Sequence, residues 1–283
     1  MTMRDLSTYA ENTWCLGCGN FAILNSMKAV LNVLSEEGFP LEKVVLVSGI
    51  GCHAKIVDYI NVNSFYAIHG RLVPVATGIK LANPDLKVIG FAGDGDAYGE
   101  GLEHLVFAAK RNIDITMIIH NNRVYGLTTG QYTPTSPLGF KGRSTPKGTV
   151  ELPLNPVELM LTAGATFIAR GYSHGIELLK RIFKQAINHK GFSFIDVLQV
   201  CVTFFNMYEY YNKRVYELED DDLQNYDEAL RKIREWDYNS DAPIALGTFY
   251  KREIPTFEER LLEHKAKAGD RDSKIKEILE QAI

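Results

Sequence analysis

No apolar run in this chain approaches the roughly 20 residues that a membrane-crossing helix needs, and the opening Met1-Thr2-Met3-Arg4-Asp5-Leu6 lacks the charged-then-apolar pattern of a secretory leader. Cysteine is scarce, with four in 283 residues. That is no disulfide framework for a chain of this length. Basic tracts are missing and the formal charge is −4, which argues against nucleic acid and anionic membrane as partners. Internal repeats and low-complexity segments are absent as well. The default expectation is a cytoplasmic protein.

What is present is ordinary globular material, 46% hydrophobic and 23% charged, enough for one large α/β domain with an extension or for two small domains. The stretch from Gly93-Asp94-Gly95 to Asn121-Asn122 organises it. The apolar run at 87–92 is short, rich in branched residues and stopped by glycine, as a buried strand is. A helical spacing of Leu102, Leu105, Val106 and Ala109 follows over 98–111, then a second strand over 113–119. If the two strands are parallel neighbours, Asp94 and Asn122 converge at their carboxyl ends, where open α/β sheets place ligands. A carboxylate, an amide oxygen and a free backbone carbonyl are the hard donors that magnesium takes while it holds phosphate. Gly93 and Gly95 let the backbone approach a diphosphate, and the next helix aims N–H groups at it. Gly-Asp-Gly alone also describes an ordinary surface turn.

The other chemistry lies in the cysteines. Trp14-Cys15-Leu16-Gly17-Cys18-Gly19 is a C-x-x-C turn leading into a helix at 20–37. It admits an iron-sulfur cluster, a structural zinc, a redox dithiol or two incidental thiols. A strand at 43–47 ends in Ser48-Gly49-Ile50-Gly51-Cys52-His53-Ala54-Lys55, and Cys201 follows the strand at 192–200. In a parallel sheet these segments share the rim that carries Asp94. Four cysteines with none left over fit one closed four-cysteine site.

Gly-Asp-Gly, then just under thirty residues, then Asn-Asn resembles the signature of the thiamine diphosphate enzymes. The resemblance implies a magnesium ion held by Asp94, by Asn122 (122 − 94 = 28 residues on) and by the Val124 carbonyl. Adding Trp-Cys-x-x-Cys-Gly, Ser-Gly-Ile-Gly-Cys and Asn-Asn-x-x-Tyr-Gly-Leu-Thr, the first 205 or so residues resemble the β subunit of the 2-oxoacid:ferredoxin oxidoreductases. That resemblance implies a 4Fe-4S cluster on Cys15, Cys18, Cys52 and Cys201, close to thiamine diphosphate. It implies cofactor contacts from Gly51, Gly93, Asp94, Gly95, Asp96, Asn122, Val124, Tyr125, Gly126, Leu127 and Thr128. The family commonly has proline before its last cysteine; this chain has Val200-Cys201-Val202-Thr203-Phe204-Phe205-Asn206.

Lys55 and Arg71 are cationic, as a site for a 2-oxo carboxylate would want. The resemblance implies that the turn of His69 and Arg71 lies near the cofactor and the substrate side, which makes Lys55, His69 and Arg71 the substrate-side candidates. A lone histidine in a turn or a single lysine also has a purely structural or solvated explanation. The irregular stretch from Arg123 to Pro153 reads as a functional cover, and Thr129 occupies a position that varies among relatives. The expected fold is a doubly wound, mostly parallel α/β sheet of the thiamine diphosphate-binding type. Residues 1–205 would bind both cofactors, and 206–283 would form a charged, largely helical extension that packs on a partner.

The resemblance further implies oxidative decarboxylation of a 2-oxoacid, 2-oxoglutarate or a broad range, to acyl-CoA. Coenzyme A takes the acyl group, electrons pass through the cluster to ferredoxin, and the reverse direction is open. Thiamine chemistry needs an activating carboxylate from a second, pyrimidine-side domain, which a chain this short does not contain, so an α subunit is expected to supply it. A non-oxidative thiamine decarboxylase or synthase subunit, and a non-catalytic scaffold stapled by zinc, are the competing readings.

Overall fold

The computed structural model describes residues 5–219, 222–266 and 271–281; the start of the opening segment, the middle of the acidic run at 219–222 and residue 270 lie outside them. The strands are β1 (Val44–Ser48), β2 (Asn63–Tyr66), β3 (Lys87–Gly93), β4 (Thr116–Asn121), β5 (Phe167–Tyr172), β6 (Ser193–Leu198), β7 (Val215–Glu217) and β8 (Ile244–Lys251). The helices are α1 (Asn20–Glu36), α2 (Leu72–Ala82), α3 (Leu102–Arg111), α4 (Pro156–Ala163), α5 (Ile176–Asn188), α6 (Tyr208–Asn212), α7 (Tyr226–Ile233), α8 (Phe257–Ala266) and α9 (Arg271–Gln281).

The strands form one sheet in the order β2-β1-β3-β4-β6-β5-β8-β7. From β2 to β5 every pairing is parallel; β8 runs antiparallel to β5, and β7 is parallel to β8. Every residue of β4, β5 and β6 is buried. Strands covered on both faces read as continuous apolar runs rather than alternating ones. The cover is helical: α1 packs on α5, while α2, α3, α4 and α7 form a second packed run. In α5 the buried Leu178, Leu179, Ile182, Phe183, Ala186 and Ile187 recur at helical spacing. In α4 the Asn155 side chain accepts from the Glu158 N–H at 3.2 Å, Pro156 takes the first turn, and Gly164 ends the helix at φ 94°.

Three differences from the sequence reading have physical causes. The segment expected as helix from 98 begins as a π-helical turn, Gly95–Glu100, because Gly95 and Gly99 leave space for the Tyr125 side chain: a Cβ would meet its ring at 2.2 Å and its hydroxyl at 2.6 Å, respectively. β2 is exposed along its length and carries no apolar alternation to reveal it. The stretch after 206 joins the main sheet through β8, whose residues Ile244 to Tyr250 are buried.

Candidate functional site

β3 and β4 are the parallel neighbours that the motif requires, with Gly93 opposite His120. β1 flanks β3, and β6 flanks β4. The turns that leave these four strands therefore meet along one edge. They build two adjoining cavities.

The first cavity is lined by Gly51, by residues 93–96 and by Asn122 with residues 124–128, together with Cys52, His53 and His69. All eleven residues expected to touch the diphosphate cofactor are among them. Asp94 is buried and accepts from the Thr135 hydroxyl at 2.8 Å. Burial pushes its carboxyl up to about 6 against the hydrogen bonds of Thr133 and Thr135. Hydroxyls do not neutralise a buried carboxylate; a cation would. Asn122 offers its Oδ1 beside Val124, whose N–H it accepts at 3.2 Å. The donor set of carboxylate, amide oxygen and backbone carbonyl suits magnesium. The turn is held from behind: Arg123, at φ 62° and 1% exposed, donates from Nε to the Thr135 carbonyl at 2.7 Å and also to the Tyr238 carbonyl. Asn121 faces away, donating to Asp196 Oδ1 at 3.0 Å and accepting from Thr135 at 2.9 Å.

Asp96 works sideways. Its Oδ1 accepts the Gly70 N–H at 2.6 Å and lies 2.5 Å from His69 Nδ1; its Oδ2 is 3.4 Å from His53 Nε2. Burial opposes its charge, yet the bonds from His53 and His69 outweigh it and hold the carboxyl well below the usual range. The hydrogen bond to Asp96 in turn raises the His69 pKa. Gly49 is required here, because a Cβ would fall 1.8 Å from Asp96 Oδ2. Gly93 likewise makes room for His53, at 2.8 Å from a Cβ, so the glycines of the motif admit neighbouring side chains.

The second cavity is lined by all four cysteines, with Trp14, Asn20, Lys55 and Gln199 among its other walls. It shares Cys52, Asn122 and Gly126 with the first. A Cβ on Gly126 would lie 3.6 Å from Cys52 Sγ and 3.8 Å from Cys201 Sγ, so the absent side chain keeps the floor between these thiols open. The C-x-x-C turn closes through the Cys18 N–H to the Cys15 carbonyl at 3.0 Å, and Gly17 adopts φ 81°. Its close approach to the segment of Cys201 needs Gly19, whose Cβ would meet the Val200 nitrogen at 2.8 Å. The Trp14 indole donates to the Cys52 carbonyl at 2.6 Å, tying the first cysteine segment to the second. Burial pushes the Cys18 thiol up to about 12, opposed by the Asn20 N–H and assisted by the other three thiols. A nucleophilic dithiol has the opposite shift. Among the described residues no three His, Cys, Asp or Glu side chains close on a single-ion site. Four cysteine sulfurs lining one cavity are the donor set that a four-cysteine site takes.

The substrate-side candidates separate. His69 lines the first cavity. Lys55 instead lines the cysteine cavity, its Nζ donating to Thr13 Oγ1 at 2.8 Å. Arg71 lines neither; its NH1 holds the Glu100 carbonyl at 2.7 Å.

Residues 49–197 match the family described as thiamine pyrophosphate enzyme, C-terminal TPP binding domain, and residues 201–266 match the C-terminal region of the pyruvate ferredoxin oxidoreductase beta subunits. A 2-oxoacid:ferredoxin oxidoreductase subunit beta of Saccharolobus solfataricus is 45% identical over 89% of this chain and 86% of its own length. The chain belongs to the β subunits of the 2-oxoacid:ferredoxin oxidoreductases. The 2-oxoglutarate synthase subunit KorB of Archaeoglobus fulgidus is 36% identical over 88% of each chain. A solved 2-oxoglutarate:ferredoxin oxidoreductase from Magnetococcus marinus, with 2-oxoglutarate, coenzyme A and succinyl-CoA bound, superimposes with a TM-score of 0.90. The alignment covers 98% of this chain and 96% of that one, at 31% identity. A β subunit implies an α subunit, and the matched domain is one that binds thiamine diphosphate. No helix among the described residues of this β subunit is long and apolar enough to cross a membrane.

The sequence reading of this β subunit missed His53, Thr135 and Gln199. His53 was adjacent to a motif cysteine and Gln199 preceded another by two residues, which was the available signal. Thr135 sits in the irregular stretch after β4 with none.

Proposed function

We propose that this chain holds the diphosphate-and-magnesium half of a thiamine site and a 4Fe-4S cluster beside it. The assembled enzyme would convert a 2-oxoacid and coenzyme A to acyl-CoA and carbon dioxide, with ferredoxin as electron acceptor. The observation that carries this reading is the wall common to both cavities, where Cys52, Asn122 and Gly126 face each of them. Asp94, Asn122 Oδ1 and the Val124 carbonyl would hold the magnesium. Cys15, Cys18, Cys52 and Cys201 would hold the cluster. Thiamine diphosphate, when bound, supplies the carbanion that attacks the 2-oxo carbon, and the cluster supplies one-electron transfer.

The chain's own groups do the rest. Asp94 and the Asn122 amide fix the diphosphate end in the cleft between β3 and β4. Asp96 favours the imidazolium form of His69 and holds the ring at that cleft, where a cation would meet the substrate carboxylate. Lys55 faces the thiolates and offsets part of their charge; it lowers the Cys52 pKa although burial dominates in raising it. Arg71 fixes the turn that presents His69. The α subunit would bring the pyrimidine-side domain and its activating carboxylate. Relatives named for 2-oxoglutarate, and the neighbour that binds it, favour 2-oxoglutarate or a broad range of 2-oxoacids. Running in reverse, the same site would carboxylate an acyl-CoA.

The test is iron and acid-labile sulfide per chain in the anaerobically purified complex with its α subunit, with electron paramagnetic resonance before and after dithionite. About four of each and a reducible signal are expected. Zinc, or no metal, would leave a non-redox thiamine enzyme as the better reading.

A further inference from the structure

Gln199 follows β6, is 1% exposed, and donates its backbone N–H to the Asn121 carbonyl at 3.0 Å. It belongs to neither set of proposed ligands, yet its side chain spans the two. The two ends of its amide are told apart by the Val200 carbonyl. A carbonyl oxygen only accepts, so the group 2.6 Å from it is Nε2, and this nitrogen also donates to Cys18 Sγ at 3.5 Å. Oε1 then faces the other way, where it accepts from Asn122 Nδ2 at 3.0 Å. That contact fixes the Asn122 amide in turn. Its nitrogen is committed to Gln199, and its oxygen is left on the side of Val124.

We propose that Gln199 is a positioning residue serving both cofactor sites. It turns the Asn122 oxygen toward the metal of the diphosphate cofactor, and it hydrogen-bonds the Cys18 sulfur of the cluster. The inference rests on the cofactor assignment above. An N–H donated to a ligand sulfur stabilises the more negative, reduced cluster and so raises its potential. A partner that orients a metal ligand is worth about 10–100-fold in metal affinity. Because one amide does both, each site is linked to the other through two hydrogen bonds.

The experiment uses the anaerobic complex with its α subunit, as wild type, Gln199→Met and Gln199→Glu. Three quantities are read: iron per chain, the cluster midpoint potential by paramagnetic resonance titration, and Mg2+ affinity in the presence of thiamine diphosphate. Met removes both bonds; the potential should fall and Mg2+ binding weaken by about 10–100-fold. Glu keeps an acceptor for Asn122, so Mg2+ binding should stay near wild type; its charge lowers the potential by itself, so the potential is read from Met. If Met loses its iron, the Mg2+ affinities still decide: wild-type affinity in Met, or a loss in Glu equal to that in Met, overturns the proposal. An unchanged potential and unchanged Mg2+ affinity in an iron-loaded Met variant overturn the proposal alone. A wild-type complex without iron overturns the cofactor assignment beneath it.

Discussion

Asp96 Oδ1 lies 2.5 Å from His69 Nδ1 and takes the Gly70 N–H at 2.6 Å as well. One buried carboxylate thus favours the charged form of the histidine and holds it in the cleft. Asp96→Asn can still accept from Gly70 but no longer favours the imidazolium. Turnover of the complex should fall, and the chain should lose about 2 kcal/mol, the usual worth of a bond to a charged group. Nuclear magnetic resonance of the imidazole should show His69 titrating at a lower pH than in wild type. An unmoved titration would mean that Asp96 does not hold it.

The Thr135 hydroxyl joins Asp94 to Asn121, at 2.8 Å and 2.9 Å. Thr135→Val keeps the shape and removes the one hydroxyl hydrogen that two buried oxygens share. Urea unfolding should show a loss of about 1–3 kcal/mol, and Mg2+ binding should weaken. Thr135→Ser should restore both.

Gly126 tests the shared wall. An alanine Cβ would sit at ordinary contact distance, 3.6 Å from Cys52 Sγ and 3.8 Å from Cys201 Sγ, so Gly126→Ala should keep its iron. Gly126→Val pushes two further methyl groups into the space between the thiols. Iron per chain should drop in valine and not in alanine; equal iron in both would remove the cavity from the argument.

His189, which lines neither cavity of the site, gives the chain an acid limit. Its Nε2 is 2.8 Å from Thr166 Oγ1, its Nδ1 has no partner, and burial, with the Lys251 charge, pushes its pKa down to about 4. The folded value lies below the ordinary 6.5, so the unfolded chain takes up the proton first. The contribution is complete above about pH 6.5 and is lost as pH falls toward 4, by about 3 kcal/mol in all. His189→Gln keeps a donor for Thr166 and should flatten that part of the stability profile in urea titrations between pH 7 and 4.

The parts of this site that the sequence displayed are those built by one short repeat of strand and turn. Asp94 and Asn122 end adjacent strands, so their spacing alone brings them together. The roles of Gln199, Thr135 and His53 were not legible because their partners lie on other elements, Gln199 meeting Cys18 across 181 residues and His53 meeting Asp96 from another turn. Arg170 is illegible for another reason. It lies inside β5, where the guanidinium is buried near Asp196 and against the rings of Trp236, Tyr238 and Phe249. A charge inside a strand breaks the apolar pattern, and its compensation comes from residues that the sequence does not place nearby. β8 was missed likewise; its partner β5 lies some eighty residues earlier, with Gly247 at φ 129° in its middle.

Tyr238 donates to Asp196 at 2.7 Å, and Asp196 in turn accepts from Asn121, the neighbour of the proposed metal ligand. The residue beneath the cofactor turn therefore depends on a tyrosine contributed by the last quarter of the chain. A fragment ending at 205 would strip Arg170 of its aromatic neighbours and Asp196 of a hydroxyl. The recognisable cofactor half is thus no exchangeable module. Gene fusions or truncations that split the chain there should yield protein that fails to fold, and any natural rearrangement would have to carry the whole sheet.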